Sequence, residues 1–286
     1  NGDTISGSLL TPFPLSSKKL KKSPLVIIIP GSGPTDRDGN SVMLPGPNNS
    51  YKQLADSLLA HGISSYRYDK LGIGKSSTNF DESEMRFSTN VTMVEAIYQN
   101  LNELWFKEFY LLGHSEGALI ASMAAQELEV EGLICIAGAG RNFTEILDEQ
   151  LSGQFSADVH RRTMAKLDSI KQGYTVENDN YLLNSLLRKS IQPYLEELLN
   201  LEPAEELAKV GVPTLLIQGE QDFQSTADDL EALKKGKPDA DFRLYPNMNH
   251  VLKVVKTPQE NQAAYSDPDF PLEQALVDDI TNWILN

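Results

Sequence analysis

The sequence predicts an α/β fold in which a doubly wound, mostly parallel sheet carries one helical insertion. Runs of β-branched and other apolar residues alternate with segments that have the apolar spacing of amphipathic helices. No strand pattern occurs between residues 141 and 209, where leucines recur at helical spacing instead. We therefore expect a core made of residues 1–140 and 210–286, with residues 141–209 forming a helical cap over one edge of the sheet.

The predicted strands are separated by helix-length segments, which is typical of parallel sheets. The first, Thr4–Leu10, looks like the second strand of a hairpin whose first strand would precede Asn1. A continuous apolar run such as Leu25–Ile29 indicates a central strand that is covered on both faces. The later strand-like runs are Ser64–Tyr68, Phe109–Leu112, Leu133–Ala137, Thr214–Gln218 and Asp241–Tyr245.

The helices of the core are predicted from the apolar spacing between these strands. They are Ser50–His61, Ser88–Leu104, Gly117–Leu128, Thr226–Lys235 and Leu272–Leu285. The leucines of the inserted segment can either cover the active site or only pack a helix pair onto the core. Both can hold together, because a cap must also bury one of its faces. The insertion follows the strand after the predicted active-site turn, which favours the cap.

Composition limits the classes of partner. The chain of 286 residues carries a formal net charge of -15 at pH 7, which makes nucleic acids and anionic membranes unfavourable partners. No stretch approaches the roughly 20 apolar residues of a membrane-spanning helix. Because the chain starts at Asn1 without an initiator Met, we expect a removed signal peptide and favour an exported over a cytoplasmic protein.

The most informative motif is Gly113–Gly117, with the sequence Gly-His-Ser-Glu-Gly. It lies between the strand-like run Phe109–Leu112 and the helix-forming run Ala118–Leu128. A sharp strand-turn-helix with glycines two residues either side of a serine exposes the serine oxygen at its apex. The motif predicts Ser115 as a nucleophile.

An acid and a histidine base are expected to follow such a serine, each in a loop after a later strand. Asp222 follows Thr214–Gln218, and His250 follows Asp241–Tyr245. An imidazole must take the proton of the serine hydroxyl during attack, and a carboxylate fixes its tautomer. We therefore predict a catalytic triad of Ser115, Asp222 and His250.

The other three histidines have contexts that indicate different roles. His61 ends a predicted helix before a glycine, where a cation caps the last carbonyls. His114 is adjacent to the nucleophile but on the turn itself, so we expect it to pack near the pocket. His160 lies in a polar helical stretch and is expected on a solvated face.

Other carboxylates near the predicted site are expected to be structural. Asp228→Asn and Asp229→Asn should keep turnover near that of the parent, in contrast to Asp222→Asn. Asp36 and Asp38 should pair with Arg37 on a surface loop, with Arg37 shaping the pocket as the alternative. Asp36, Asp38, Asp69 and Glu116 could be taken for a metal site, but they lack histidine partners at ligand spacing and a serine nucleophile needs no metal. Neither metal nor cofactor is therefore predicted.

Two backbone N–H groups must stabilise the oxyanion of the tetrahedral intermediate. The residue after the nucleophile supplies one, which is the N–H of Glu116. The loop Pro30–Pro34 follows the predicted central strand with small residues that let the backbone approach a substrate. We predict the N–H of Ser32 as the second donor, with Gly33 in reserve.

Taken in order, these motifs resemble the α/β-hydrolase superfamily, and within it bacterial esterase-like members related to the S33 serine aminopeptidase family. The resemblance covers Leu25 to Trp283 and implies an α/β-hydrolase fold. It departs from the family at Pro30, where a histidine is frequent, and at Leu71, where an arginine is frequent. The segments that carry it are Gly31–Asn40, Arg67–Ser76, Gly113–Gly117, Gly219–Asp222 and Asn249–His250.

The expected function is a serine hydrolase that cleaves small or medium carboxylic esters through an acyl-enzyme. Two alternatives stay open: an amide or peptide hydrolase of the same fold, and a non-catalytic binding protein on the same scaffold. Phe143 and Phe155 in the inserted segment are expected to contact the acyl chain. The substrate would be a small molecule, whereas its identity and the oligomeric state have no signal in the sequence.

Overall fold

A seven-stranded sheet forms the centre of the computed structural model, which describes residues 2–104 and 106–286. Numbered along the chain, the strands are β1 (Gly7–Leu10), β2 (Leu25–Ile29), β3 (Ser64–Tyr68), β4 (Phe109–His114), β5 (Gly132–Ile136), β6 (Thr214–Gly219) and β7 (Asp241–Tyr245). Their order across the sheet is β1-β3-β2-β4-β5-β6-β7. Only β1 is antiparallel to its neighbour, so the predicted mostly parallel sheet is confirmed.

The first strand is shorter than predicted. Pairing with β3 covers Gly7–Leu10 only, and Thr4 instead forms an isolated antiparallel bridge with Ser77. The strand predicted to precede Asn1 lies outside the described residues.

Helices cover both faces of the sheet, as a doubly wound fold requires. They are α1 (Ser50–Ala60), α2 (Phe87–Leu104), α3 (Glu116–Ala124), α4 (Phe143–Ser152), α5 (Ala157–Lys171), α6 (Asn184–Leu187), α7 (Gln192–Leu199), α8 (Pro203–Ala208), α9 (Ala227–Gly236), α10 (Pro258–Ala264) and α11 (Gln274–Leu285). The five predicted core helices are all present, and the largest difference is the early end of α3. Among the helices of the described residues, none combines the length and apolar character needed to cross a membrane.

The central strand β2 shows why a continuous apolar run predicts burial on both faces. Its alternate side chains point to opposite sides because a strand has a two-residue repeat. Leu25, Ile27 and Ile29 pack with α2 and α3 in one core cluster. Val26 and Ile28 pack with α1 and α11 in the other. All five are fully buried, and each contributes about 1.5–3 kcal/mol of burial free energy.

The chain reverses its direction of travel across the sheet at β2, whose neighbours are β3 and β4. In open α/β sheets, ligands bind outside the carboxyl ends of the strands at such a point. The loop after β2 and the turn after β4 are therefore adjacent. A Cβ placed on Gly31 would lie 3.0 Å from the Cβ of Ser115, which makes this position one for glycine.

The predicted helical segment, residues 141–209, contains α4 to α8 and no strand among its residues. Its two ends are tied together by Asn142, whose Nδ2 donates to the carbonyl oxygens of Leu199 (3.1 Å) and Leu201 (3.0 Å) and to Oε1 of Glu202 (2.8 Å). Near the far end, α8 packs against α3 and α9 of the sheet's helical layer. The segment thus leaves and re-enters the core at nearly the same place.

Asp229, whose replacement by Asn is predicted to leave turnover near that of the parent, has structural contacts that the sequence did not indicate. Its side chain is fully buried and accepts hydrogen bonds from the N–H of Gly140 (3.1 Å), the Nη2 of Arg141 (3.1 Å) and the N–H of Thr226 (3.0 Å). A buried carboxylate is tolerated only with such partners. Asp229 therefore fixes the start of the helical segment, whereas Asp228 is exposed.

The expected pairing of Arg37 with Asp36 and Asp38 was wrong. Arg37 Nη2 lies 2.6 Å from Asp69 Oδ2, and Arg67 forms the ion pair with Asp38. Asp69 is almost buried at the end of β3 and needs a cationic partner. The two pairs cross between segments and hold the loop after β2 against β3.

Candidate active site

Ser115 is the single residue between the end of β4 and the start of α3, and its backbone has φ 56° and ψ -125°. Non-glycine residues rarely adopt a positive φ, and such strain concentrates at functional sites. A Cβ on Gly113 would lie 2.2 Å from the carbonyl oxygen of Gly117, and a Cβ on Gly117 would lie 2.4 Å from that of Ile29. Close packing therefore leaves no room for a Cβ atom at either glycine, as the motif predicts.

Asp222 and His250 are brought together at the ends of β6 and β7. The Nδ1 of His250 lies 2.8 Å from Oδ2 of Asp222, and both side chains are buried. The other carboxylate oxygen accepts from the N–H groups of Gln224 (2.8 Å) and Ser225 (3.1 Å). Burial alone would raise the pKa of Asp222, but the imidazole and these hydrogen bonds outweigh it and lower that pKa. Asp222 is therefore a carboxylate near neutral pH.

Ser115 and His250 line the same cavity. No hydrogen bond joins their side chains in the described residues. Catalytic hydrogen bonds are often long before substrate binds and tighten in the complex. With Nδ1 held by Asp222, His250 presents Nε2 as its only ring nitrogen for the proton of the serine hydroxyl.

A second contact joins the loops that carry the acid and the base. Asn249 Nδ2 donates to Asn261 Oδ1 (3.0 Å), and Asn261 Nδ2 donates to the carbonyl oxygen of Gln221 (2.6 Å). Both asparagines are buried. Sequence reasoning missed Asn261, because it lies on α10, away from any motif.

The three predicted oxyanion donors, Ser32, Gly33 and Glu116, all line the cavity. Within residues 2–104 and 106–286, the N–H groups of Ser32 and Glu116 donate to no other group of the protein. Gly33 has a φ of 71°, which favours glycine there. The arrangement leaves both predicted N–H donors available to a substrate oxygen.

His114 forms a buried hydrogen-bonded chain that sequence reasoning missed. The N–H of Gly31 donates to the hydroxyl of Tyr51 (3.2 Å), which lies 2.7 Å from Nδ1 of His114. On the other side, Nε2 of His114 lies 2.7 Å from the carbonyl oxygen of His250. Because a carbonyl only accepts, Nε2 carries the proton and Nδ1 accepts from the Tyr51 hydroxyl.

This chain requires a neutral imidazole. Burial, followed by the neighbouring imidazole of His250, lowers the pKa of His114 to about 3. A second proton on Nδ1 would face the hydroxyl of Tyr51, which already accepts from Gly31. His114 thus couples the loop after β2 to the loop of the base, and its place beside Ser115 was the only signal in the sequence.

The cavity has a volume of about 1090 Å³, at the upper end of the range for small-molecule sites. Residues 141–209 contribute both polar and apolar side chains to it, and the apolar ones are Phe143, Ile146, Leu147, Leu182, Leu186, Ile191, Leu195 and Leu198. Phe143 therefore lines the cavity, and its contact with an acyl chain stays a prediction. Phe155 is not among the residues that line this cavity; it is half-buried and packs against a hydrophobic cluster that includes leucines of α4, α5 and α7. The structure therefore gives its predicted contact with substrate no support.

Among the described residues, no group of three or more His, Cys, Asp or Glu side chains is placed to hold a metal ion. Two of the aspartates weighed as metal ligands form ion pairs instead. Asp38 pairs with Arg67, and Asp69 pairs with Arg37.

The sequence is similar to those of known proteins. A family model described as serine aminopeptidase, S33, matches residues 47–254. Esterase EstD from Thermotoga maritima is 25% identical over 277 residues, covering 92% of this chain and 62% of that protein. The chain therefore spans less than two thirds of the length of this curated relative.

Solved structures share the fold at low sequence identity. Est1E from Butyrivibrio proteoclasticus with bound ferulic acid has a TM-score of 0.67 at 18% identity, covering 100% of this chain and 96% of its own. The enol-lactonase from Burkholderia xenovorans LB400 has a TM-score of 0.60 at 14% identity, covering 100% and 98%. The likeness of these structures supports the α/β-hydrolase fold, and because the family model spans most of the chain, the protein belongs to the S33 serine aminopeptidase family.

Proposed function

We propose that this protein is a serine hydrolase that cleaves small or medium carboxylic esters, with Ser115 as nucleophile, His250 as base and Asp222 as the acid that orients it. The observation that carries the proposal is the Asp222–His250 hydrogen bond of 2.8 Å at the wall of the cavity into which the strained Ser115 faces. The similarity to esterase EstD adds support from sequence.

Acylation begins when Ser115 Oγ attacks the ester carbonyl carbon and its proton passes to His250 Nε2. The carbonyl oxygen becomes an oxyanion, which accepts from the N–H groups of Ser32 and Glu116. The carbon–oxygen bond to the leaving group then breaks. The departing alkoxide takes the proton from His250 and leaves as an alcohol, so that the acyl group remains on Ser115.

Deacylation repeats these steps with water. His250 removes a proton from water, the resulting oxygen attacks the acyl-enzyme, and the same N–H groups hold the second oxyanion. Collapse releases a carboxylic acid and returns the proton to Ser115 Oγ. Asp222, a carboxylate throughout, stabilises the imidazolium that forms twice in the cycle.

Residues 141–209 are proposed as a cap that shapes the acyl pocket, and residues 1–140 and 210–286 as the core. The support is that apolar side chains of the cap line the same cavity as Ser115, while the triad comes from loops of the sheet. Substrate selection and bond cleavage would then reside in different parts of the chain. Phe143, at the start of α4, is the proposed acyl contact.

The carboxylates of the cavity favour an ester over the amino terminus of a peptide. An aminopeptidase must offer acceptors to an ammonium group. The two glutamates among the described lining residues are both engaged. Glu82 accepts from Arg188 Nε (2.9 Å), and Glu116 accepts from Tyr194 Oη (2.7 Å) and lies 3.5 Å from Lys70 Nζ.

The test is hydrolysis of chromogenic esters with acyl chains of increasing length, together with covalent labelling by a fluorophosphonate. We expect turnover by the parent protein and a single label mapped to Ser115 by peptide mass. Ser115→Ala should lose roughly 10⁶ in kcat, because the triad acts as a unit. His250→Ala should slow labelling.

The matched control is Ser152→Ala, which removes an exposed hydroxyl in the proposed cap. It should keep both turnover and labelling. A parent protein that binds esters without cleaving them would instead be a non-catalytic binding protein, and a label on another serine would move the nucleophile. Faster cleavage of aminoacyl anilides than of esters would favour the peptidase alternative.

A further inference from the structure

Lys70 contacts both backbone segments that supply the proposed oxyanion donors. It follows β3, and its side chain is 12% exposed at the cavity wall. Its Nζ donates to the carbonyl oxygen of Gly31 at 3.1 Å and lies 3.5 Å from Oε1 of Glu116. The loop after β2 and the first residue of α3 are thus joined through one cation.

The first contact acts on the N–H of Ser32 directly. The carbonyl of Gly31 and the N–H of Ser32 belong to the same planar peptide unit, so fixing the carbonyl fixes the direction of the N–H. A cation on the carbonyl oxygen also polarises that unit, because hydrogen bonds in series strengthen each other. Both effects improve Ser32 as a donor to a developing negative charge.

The second contact acts on Glu116, whose own N–H is the other donor. The carboxylate of Glu116 is 4% exposed and therefore needs close partners. Lys70 supplies the positive charge, and Tyr194 supplies a hydroxyl donor at 2.7 Å. Burial, and then the adjacent carboxylate, raise the pKa of Tyr194, so its hydroxyl keeps the proton that it donates.

Tyr194 lies on α7, in the proposed cap, and is held there by packing. Its ring lies 5.8 Å from the ring of Phe87 at the start of α2. The carboxylate of Glu116 therefore receives one contact from the core, through Lys70, and one from the cap. The position of the cap is thus linked to Glu116 directly and to Gly31 through Glu116 and Lys70.

We propose that Lys70 is a positioning residue that holds the Ser32 and Glu116 N–H groups in the geometry of the oxyanion hole, with Tyr194 completing the contact from the cap. This inference rests on the proposed function. Lys70 acts through Gly31 and Glu116 and does not itself contact the reacting atoms. Its contribution should therefore appear in the tetrahedral state and not in the binding of the intact substrate.

The variants are Lys70→Met, which keeps the length of the side chain without the charge, and Lys70→Arg, which keeps the charge. Loss of one oxyanion donor costs about 10²–10³ in kcat, so loss of a residue that orients both donors should cost about 10–100-fold, with KM changed less than about threefold. Lys70→Arg should recover part of the loss. Tyr194→Phe, which keeps the ring, should lose about threefold.

Binding of two ketones separates positioning from a merely structural role. An alkyl trifluoromethyl ketone adds to the serine and forms an oxyanion, whereas the matching methyl ketone binds largely without adding. In Lys70→Met, the dissociation constant of the trifluoromethyl ketone should rise by the same factor as kcat falls, while that of the methyl ketone stays constant. Lys75→Met, an exposed lysine in the same segment, is the control and should match the parent in every measurement.

Other outcomes of these binding measurements would overturn the role of Lys70 or the proposed function. If the parent forms the trifluoromethyl ketone adduct and Lys70→Met forms it equally well, the role of Lys70 is overturned and the proposed function stands. An equal loss of affinity for both ketones, with a raised KM, would assign Lys70 to substrate binding instead. If the parent forms no adduct at all, the proposed function and this inference fail together. Tyr194→Phe provides the same comparison should Lys70→Met fail to fold.

Discussion

The buried imidazole of His114 should make the stability of the protein fall on mild acidification. In the folded state its pKa is about 3, against an ordinary value of 6.5. Between these two values the unfolded chain binds a proton that the folded protein rejects. Stability linked to His114 is therefore fully present above about pH 6.5 and is lost progressively as the pH falls towards about 3.

The magnitude at pH 5 follows from the unfolded state alone, because folded His114 is still neutral there. Each tenfold change in protonation corresponds to about 1.4 kcal/mol, and pH 5 lies about 1.5 below the unfolded pKa, which gives about 2 kcal/mol. Asp222 does not contribute in this range. Its folded pKa is below 3.8, so the stability that it provides is lost only at lower pH.

The assay is urea unfolding of the parent and of His114→Gln at pH 7, 6 and 5. Glutamine retains an N–H donor for the carbonyl oxygen of His250 but does not titrate. The variant should be less stable at pH 7, and its free energy of unfolding should fall about 2 kcal/mol less than that of the parent by pH 5. The other titrating groups are present in both proteins, and His250, whose ring lies 4.8 Å from that of His114, is the titratable neighbour whose surroundings change. Parallel pH dependences for the two proteins would refute the neutral, buried imidazole.

Three further predictions concern the turn that carries Ser115, the acid Asp222 and the proposed cap. Gly113→Ala should destabilise the fold by about 1–3 kcal/mol in urea unfolding because its Cβ would meet a carbonyl oxygen at 2.2 Å, whereas Gly153→Ala, with open space around its Cβ, should not destabilise it. Asp222→Asn should lower kcat by about 10⁴ in ester hydrolysis while Asp228→Asn matches the parent; equal losses would contradict the assignment of the acid. Phe143→Ala should shift the acyl-length profile of kcat/KM by about 1–3 kcal/mol per methylene-sized change, and a uniform fall across the series would assign Phe143 to packing alone.

The parts of this protein that the sequence predicted are those set by local pattern. The bounds of β2, β3 and β7 agree with the apolar and β-branched runs to the residue. Ser115 was placed at its turn by two glycines, and the turn has the strained backbone that those glycines imply. Asp222 and His250 were assigned from chain order and strand ends, and they lie 2.8 Å apart.

The parts that were missed or wrong depend on distances between segments far apart in the chain. Arg37 was assigned to its sequence neighbours, but the buried Asp69 attracts it across 32 residues. Phe155 has the residue type of a pocket wall, yet it is not among the residues that line the cavity. The contact between Tyr194 and Glu116 spans 78 residues and carries no motif. Residue type indicates what a side chain can bind, whereas the packing of helices decides which partner it reaches.

The strain at Ser115 explains why the nucleophile follows a central strand. A non-glycine residue in a sparsely populated conformation costs about 1–3 kcal/mol and persists only where its surroundings hold it. Here β4 is paired on both sides, by β2 and β5. The N–H of Ser115 donates to the carbonyl oxygen of Ile136 (2.9 Å), and its own carbonyl accepts from the N–H of Ala118 (2.9 Å). Relaxing the turn would break these hydrogen bonds to β5 and to the first turn of α3. The hydroxyl of Ser115 is therefore held at the cavity wall even when no substrate is bound.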